Sequence, residues 1–144
     1  MKHVPCLDIY RKNGTNEIMI LNFAVRPIYG GNIAWGKVVN LTLENVQDGG
    51  AEIILANLRG FSERDGSQGS DLPKLSREQQ RKFDRNHTLV GVRQESLSQL
   101  ILTPMHRASP AGFTGERSEE IIVELPCSSE EFAKKLDTAF EKAG

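Results

Sequence analysis

Cysteine and long apolar runs are scarce in this sequence. Its 144 residues contain two cysteines, Cys6 and Cys127, which are too few and too far apart for a disulfide framework or a zinc-binding spacing. Residues 1–13 lack the continuous apolar core of a signal peptide, and no run approaches the roughly 18 apolar residues that span a membrane. We therefore expect a cytoplasmic protein without disulfides or structural metal, and one that does not act in a membrane.

The sequence also lacks an excess of charge of one sign. Eighteen basic and nineteen acidic side chains give a formal net charge of -1, so the overall field does not attract nucleic acid or a membrane surface. The charges are unevenly distributed, because residues 44–71 hold six acidic and two basic side chains and residues 72–117 hold eight basic and four acidic. This distribution predicts local charged patches.

No phosphate-binding or metal-binding motif is complete. Residues 31–37 have the spacing of a phosphate-binding loop, but Val38 stands where the motif needs a hydroxyl, and a strand-like pattern follows instead of a helix. Residues 65–71 resemble a calcium loop, but Ser76 occupies the place of the bidentate glutamate. We expect a turn or bulge at the first segment, a flexible surface loop at the second, and no metal, cofactor or small-molecule ligand.

The first half of the chain has the pattern of short strands. Asn13 and Gly14 separate two apolar runs, and this pair is a strong hairpin signal because both residues tolerate positive φ. Residues 39–43 alternate apolar and polar side chains, which predicts a strand with one solvated face. Residues 51–58 fit either a helix or a buried strand. We favour a strand, because these residues follow the turn predicted at residues 47–50.

The second half predicts more strands and two helices. Strands are expected at residues 88–93, 99–103 and 121–125, a short helix at 75–85 and a loop at 107–118, with Pro104 at the end or edge of a strand. For the final helix, Ser128 and Glu131 can form a capping box. Phe132, Leu136 and Phe140 then make one apolar stripe. The chain is thus expected to be a single α+β domain, residues 1–144, with a mostly antiparallel sheet and the C-terminal helix packed on it.

Three groups of residues could carry a function without a complete motif. His87 and His106 border predicted strands and could serve as the acid and base of a small hydrolase. The helix within residues 74–85 carries a basic stripe that could meet the phosphates of nucleic acid. Large aromatic side chains near glycine-rich connections could anchor a protein interface or close the core, and these are Tyr29, Trp35, Phe61 and Phe113.

The second half also resembles a known family. The segments that carry the resemblance are Phe83-x-Arg85-x-His87, Val90 and Val92, residues 100–104, Gly112-Phe113-x-Gly115, IIVELP at 121–126 and EEFAKKLDTAF at 130–140. Together they look like the C-terminal half of bacterial immunity proteins from contact-dependent growth inhibition and related polymorphic toxin systems. The first half carries no such resemblance.

The resemblance implies a non-enzymatic, cytoplasmic protein that binds a toxin domain, commonly a nuclease, and blocks its active site or substrate surface. Nucleases tend to present basic surfaces because they bind phosphates, so the acidic stretch is the expected docking region, with Phe61 as an apolar anchor. The expected partner-binding residues are Glu44, Asp48, Glu52, Phe61, Glu63, Asp65, Asp71 and Phe113. The alternatives are a nucleic-acid-binding module that uses residues 74–85 and a hydrolase that uses His87 and His106.

Overall fold

The sheet starts with the hairpin that the Asn-Gly pair predicts. The computed structural model describes residues 4–27, 31–70, 72, 74–108 and 112–144. Strand β1 (Cys6–Lys12) pairs antiparallel with β2 (Glu17–Val25). Gly14 in the turn has a φ of 77°, which glycine adopts without steric cost. The hairpin prediction is confirmed.

Five more strands extend the sheet on both sides of this hairpin. They are β3 (Asn32–Thr42), β4 (His87–Ser96), β5 (Gln99–Arg107), β6 (Phe113–Gly115) and β7 (Ile121–Glu124). The order across the sheet is β3-β2-β1-β4-β5-β6, and β7 also pairs with β5. Every pairing between these strands is antiparallel, and one isolated parallel bridge joins Gly36 to Ser70. The predicted α+β class is confirmed, and β1 and β4 lie at the centre of the sheet.

Four helices accompany the sheet. They are α1 (Leu43–Asn45), α2 (Ala51–Arg59), α3 (Arg77–Asn86) and α4 (Ser129–Lys142). Helices α2 and α4 pack on one face of the sheet, whereas α3, the predicted middle helix, contacts β4. No helix within the described ranges is long and apolar enough to cross a membrane.

The C-terminal helix is docked as its apolar stripe predicts. The Ser128 hydroxyl accepts a hydrogen bond of 3.0 Å from the Glu131 backbone N–H, which satisfies one free donor of the first turn. This is the one half of the predicted capping box found among the described residues. Phe132, Leu136 and Phe140 are buried in one cluster with apolar side chains of the central strands. We call the face of the sheet that meets α2 and α4 the covered face.

Residues 51–58 belong to helix α2, so the predicted strand is wrong. The chain bends at Asp48 and at Gly49, whose φ is 99°, and this bend joins α1 to α2 without reversing the chain into a strand. Ile54 and Leu58 lie at helical spacing and are fully buried. A run of neighbouring apolar residues is compatible with a helix and with a strand. Here the packing of α2 on the sheet selects the helix.

Strand β5 continues through Pro104, so the proline does not end it. Residues 99–102 of β5 pair with β7 and residues 105–107 pair with β6. Pro104 therefore lies where β5 changes partner, an interruption that suits a residue without an N–H. The predicted loop at 107–118 is also partly wrong, because it contains β6, a strand of three residues that is too short to show alternation.

The glycine-rich residues 31–37 lie largely in β3, where the predicted bulge is confirmed. Leu21 of β2 faces three residues of β3 around Gly36, whose φ is 67°. The predicted surface loop after α2 packs on the sheet at several points. Arg64 donates a 2.8 Å hydrogen bond to the Phe23 carbonyl oxygen, and Ser70 forms a bridge with Gly36. A Cβ placed on Gly66 would lie 1.8 Å from the Val25 carbonyl oxygen, so this position has room for glycine alone.

Candidate functional site

The acidic side chains of the predicted docking region do not form one patch. Glu44 borders a groove between α1 and α4, and its carboxylate accepts a 2.6 Å hydrogen bond from Asn16. Glu52 on α2 pairs with Arg59 at 3.5 Å. Four further residues complete the stretch: Asp48 is exposed in the bend, Glu63 and Asp65 line a depression beyond the end of α2, and Asp71 lies outside the described residues.

The two aromatic residues of the predicted docking region lie in different environments. Phe61, in a 3-10 turn over Phe61–Glu63, is 2% exposed. The prediction of an apolar anchor at the surface is therefore wrong for this residue, which closes the core instead. Phe113 is half-buried, and its ring centroid lies 6.4 Å from that of Tyr10 on the side of the sheet away from α2 and α4. Tyr29 lies outside the described residues.

The two candidate catalytic histidines lie on opposite faces of the sheet. His87 stacks on Phe83 with 3.8 Å between ring centroids, and its Nδ1 is 2.7 Å from the Phe83 carbonyl oxygen. His106 is 3.1 Å from the carbonyl oxygen of Gly144, which follows α4, and 2.8 Å from Glu119. The hydrogen bond with Glu119 raises the pKa of His106. The two histidines therefore do not form the acid and base pair that the hydrolase alternative needs.

The basic stripe of α3 is exposed, as the sequence predicts. Arg77, Arg81 and Arg85 all lie in this helix, none of whose residues is buried. None of the three forms an ion pair with another described residue. Helix α3 therefore presents positive charge to solvent beside the first residues of β4.

The second face of the sheet has no covering helix over its centre. Side chains alternate along a strand, so the neighbours of the buried Leu7 and Ile9 point away from α2 and α4. We call this the open face. Its central side chains are Cys6, Asp8, Tyr10, Met19, Leu21, Phe23, Leu89, Arg93, Thr103 and Met105. Most are apolar, and those of β1 and β2 are half-buried, although α3 at Tyr10 is the one described helix in contact with them.

One end of the open face is closed by a cluster of rings. The Tyr10 ring meets Phe83 of α3 edge to face at 5.1 Å between centroids, and it also meets His87 at 6.3 Å. Burial among these rings raises the pKa of Tyr10. Among the described helices, α3 covers this end of the open face and none covers the part around Asp8 and Leu21.

Asp8 lies at the centre of the open face without a partner among the described residues. Its neighbours across the sheet are Leu21 on β2 and Gly91 on β4. No described residue donates a hydrogen bond to its carboxylate or forms an ion pair with it. Burial alone raises the pKa of Asp8 to about 6, because desolvation disfavours the charged form.

A recess opens beside Asp8 where Gly91 has no side chain. A Cβ at Gly91 would lie 3.8 Å from Asp8 Oδ1. The cavity has a volume of about 340 Å³, and Cys6, Thr103 and Met105 form its walls. Burial also raises the pKa of the Cys6 thiol to about 11, so that group is neutral at physiological pH. The recess thus places the Asp8 carboxylate beside uncharged side chains, and four further charged residues line it: Arg93, Glu116, Arg117 and Glu120.

The arginine nearest to this recess is held by other carboxylates. Arg93 contacts Glu95 and Glu120 at 2.5 Å each, and it donates a 3.2 Å hydrogen bond to Thr103. These contacts raise the pKa of Arg93, although its partial burial opposes them. Arg93 therefore forms part of the wall and does not neutralise Asp8.

Comparisons with known proteins support the fold. No protein family matches the sequence, and no curated protein matches it either. The structure is similar to that of a protein of unknown function from Neisseria meningitidis, with a TM-score of 0.62 and 12% sequence identity over 100% of this chain and 98% of that one. At this identity the similarity shows a shared architecture along the whole length.

Asp8 is absent from the residues that the sequence predicted for the site. A signal was present, because Asp8 is the one charged residue within the run Cys6–Tyr10, whose apolar side chains fall on both faces of a strand. A strand that is apolar on both faces is typical of the sheet interior. A carboxylate there marks a candidate site. No three His, Cys, Asp or Glu side chains in the described ranges come together as a metal site would require.

Proposed function

We propose that this protein is an immunity protein, which binds a toxin domain through the open face of its sheet and so neutralises it. The observation that carries the proposal is the apolar surface around Leu21 and Asp8, which no described helix covers. Contiguous exposed apolar surface rimmed by polar residues marks interaction sites. Here Met19, Leu21 and Phe23 form that surface along a single strand.

The choice of a toxin as the partner rests on the family resemblance. The segments that carry it include β4, part of β5, β6, β7 and α4, which are neighbours in the sheet or pack directly on it. The segments that carry the resemblance therefore form one continuous half of the fold. A nuclease toxin presents lysine and arginine to its substrate, and the unpaired Asp8 is a complementary charge on an apolar surface.

Such a partner would be inhibited by occlusion. A rigid sheet face that seats over the basic substrate-binding surface of a nuclease excludes the phosphate backbone, and this inhibition requires no chemistry from the immunity protein. The apolar contacts at the centre would slow dissociation, whereas charged groups at the rim would speed association.

Growth rescue tests the function directly. We expect a gene next to the one for this chain to encode a toxin domain that stops growth of a bacterial host when produced alone and not when this protein is produced with it. Met19→Arg on the open face should abolish rescue, because it places positive charge against a basic partner. If the toxin still kills in the presence of folded wild-type protein and does not co-purify with it, the proposed function is wrong.

The acidic stretch provides the matched comparison for that test. Glu63→Lys and Asp65→Lys change charge on the other side of the molecule, beyond α2, where both side chains are exposed. We expect these variants to rescue growth like the wild type. If they fail while Met19→Arg rescues, the toxin docks on the acidic side chains and not on the open face.

A second candidate function is nucleic-acid binding by α3. The observation that favours it is the exposed row Arg77, Arg81 and Arg85, which has no ion-pair partner among the described residues. Such binding would weaken steeply as salt rises. Titration of mixed-sequence oligonucleotides at two salt concentrations, with Arg81→Ala for comparison, decides whether this surface binds phosphates.

A further inference from the structure

The geometry points to a socket for one basic side chain. We propose that the recess beside Asp8 receives the ammonium or guanidinium group of a lysine or arginine presented by the protein partner. This inference rests on the proposed function in one respect, namely that the open face is the surface that meets a protein. It adds the chemistry of the contact at the centre of that surface.

The carboxylate of Asp8 is without a partner among the described residues. Asp8 is flanked by Leu21 and Gly91 across the sheet, and no described residue hydrogen-bonds to it or pairs with it. A carboxylate that loses water without gaining a partner destabilises the free protein. Its presence at the centre of an apolar surface is accounted for if a partner supplies the missing donor.

The absence of a side chain at Gly91 leaves space for a ligand beside Asp8. Gly91 leaves the volume next to Asp8 Oδ1 empty, and Cys6, Thr103 and Met105 enclose it. Lysine and arginine have apolar stems that pack along such walls, and their charged heads extend beyond the stem. The recess therefore offers uncharged side chains for the stem of a lysine or arginine beside the carboxylate of Asp8, an acceptor for its charged head.

The charged side chains around the recess leave Asp8 available to a cation. Arg93 is already paired with Glu95 and Glu120, so it does not compete for Asp8. The other charged residues at the mouth are Glu116 and Arg117, both exposed. A cation that enters the recess thus meets two carboxylates without an ion pair among the described residues, Asp8 and the exposed Glu116, and one such cation, the exposed Arg117.

A second copy of this chain is a poorer occupant than a basic protein. Two copies that met through their open faces would bring two unpaired Asp8 carboxylates into one interface. Like charges in a desolvated interface repel each other. We therefore assign the socket to a different, basic protein.

The experiment uses a probe that needs no toxin. Nα-acetyl-arginine amide is titrated into the full-length protein, and the Asp8 side-chain carboxyl carbon is followed by NMR. The matched control probe is Nα-acetyl-citrulline amide, in which a neutral urea replaces the guanidinium. We expect saturable binding of the arginine probe with a Kd of about 1–20 mM, as suits a small ligand held by one ion pair, and at least about tenfold weaker binding of citrulline.

Variants separate the socket from other surface carboxylates. Asp8→Asn and Asp8→Leu should both remove the preference for arginine over citrulline. Glu17→Gln should keep it, because Glu17 is an exposed carboxylate at the rim of the same face. Equal binding of the two probes by wild-type protein, or no Asp8 shift at about 100 mM probe, overturns the socket.

The outcomes for the socket and for the proposed function can be told apart. If the toxin is neutralised equally by wild type, Asp8→Asn and Asp8→Leu, the function stands and the socket is wrong. If arginine binds at Asp8 but no neighbouring toxin is neutralised, the socket stands and the proposed function falls. A concentration-dependent dimer that Asp8→Leu strengthens, with no preference for the arginine probe, identifies a second copy as the occupant and overturns the assignment to a basic partner.

Discussion

The two faces of this sheet are built from the same strands but hold opposite kinds of surface. On the covered face, Leu7, Ile9 and Ile20 are at most 1% exposed beneath α2 and α4. On the open face, Asp8 and Leu21, the next residues along the same strands, lie under no helix. On the covered face, Asn22 donates a 2.7 Å hydrogen bond to Asn57 of α2, although its own Oδ1 has no partner among the described residues. On the open face, the group without a described partner is the carboxylate of Asp8.

This difference indicates which face supplies stability and which supplies function. A side chain that has all its partners inside the fold contributes to folding, whereas an unpaired buried charge lowers stability and is retained where a ligand supplies its partner. Truncations on the covered face should therefore reduce stability, and neutralisation of Asp8 should increase it. The predictions below test that contrast in order of expected effect.

The largest effect is expected from Leu136→Ala on α4. Leu136 is completely buried between the sheet and the other apolar residues of its helix, so truncation should lower the free energy of unfolding by about 2–5 kcal/mol. Denaturant unfolding measures this loss. Leu97→Ala is the matched control, because Leu97 is 94% exposed and its truncation should change stability by no more than about 0.5 kcal/mol. A loss below that figure for Leu136→Ala would show that α4 is not docked.

The sequence predicted the elements that local signals specify. The Asn13-Gly14 turn, the Ser128 cap and the spacing of Phe132, Leu136 and Phe140 each determine their structure through neighbours in the chain. Helix α2 and strand β6 were missed because their identity depends on distant contacts. The apolar run of α2 needs the sheet to select a helix, and β6 exists as the pairing partner of the end of β5.

The Asp8 recess could not be assembled from the sequence for the same reason. It depends on Gly91 being opposite Asp8 and on Arg93 being held by Glu120, residues more than 80 positions further along the chain. The prediction that the acidic stretch forms one docking region failed for the opposite reason. Its residues are close in sequence, but the bend at Gly49 and the length of α2 distribute them over separate surface depressions.

An intermediate effect of opposite sign is expected from Asp8→Asn. Burial raises the pKa of Asp8 from 3.8 to about 6, so the folded state keeps its proton to a higher pH than the unfolded chain does. The free energy of unfolding of the wild type should therefore fall between pH 4 and pH 6 on account of this group, and the full penalty is present above pH 6. Asp8→Asn should be more stable than wild type by about 2 kcal/mol at pH 8 and nearly equal to it below pH 4.

Several charged groups surround Asp8, so the comparison is made between variant and wild type at each pH. These groups are Cys6 and Tyr10 on β1, Arg93 on β4, Asp84 on α3, and Glu116, Arg117 and Glu120 before β7. Each is present in both proteins, and its own titration largely cancels in the difference. Chemical unfolding of both proteins across pH 4 to 8 supplies the measurement. A difference independent of pH would mean that the pKa of Asp8 is the same in the folded and unfolded states, and a wild type that gains stability over Asp8→Asn as the pH rises would mean that Asp8 is paired in the folded protein.

The smallest effect on stability is expected from Leu21→Lys, which is the sharpest comparison of the two faces. Leu21 is half-buried on the open face with no helix above it, so a lysine there can extend its ammonium group into solvent, and stability should change by less than about 1 kcal/mol. Ile20→Lys, one residue earlier, places the same group under α2 and α4, where Ile20 is 0% exposed, and should prevent folding because an unpaired charge is buried. Circular dichroism and thermal unfolding of the two variants measure the contrast.

Leu21→Lys should nevertheless lose binding to a basic partner, since it adds a like charge at the centre of the proposed interface. A folded Leu21→Lys protein that binds its partner like the wild type would show that the open face is not the binding surface.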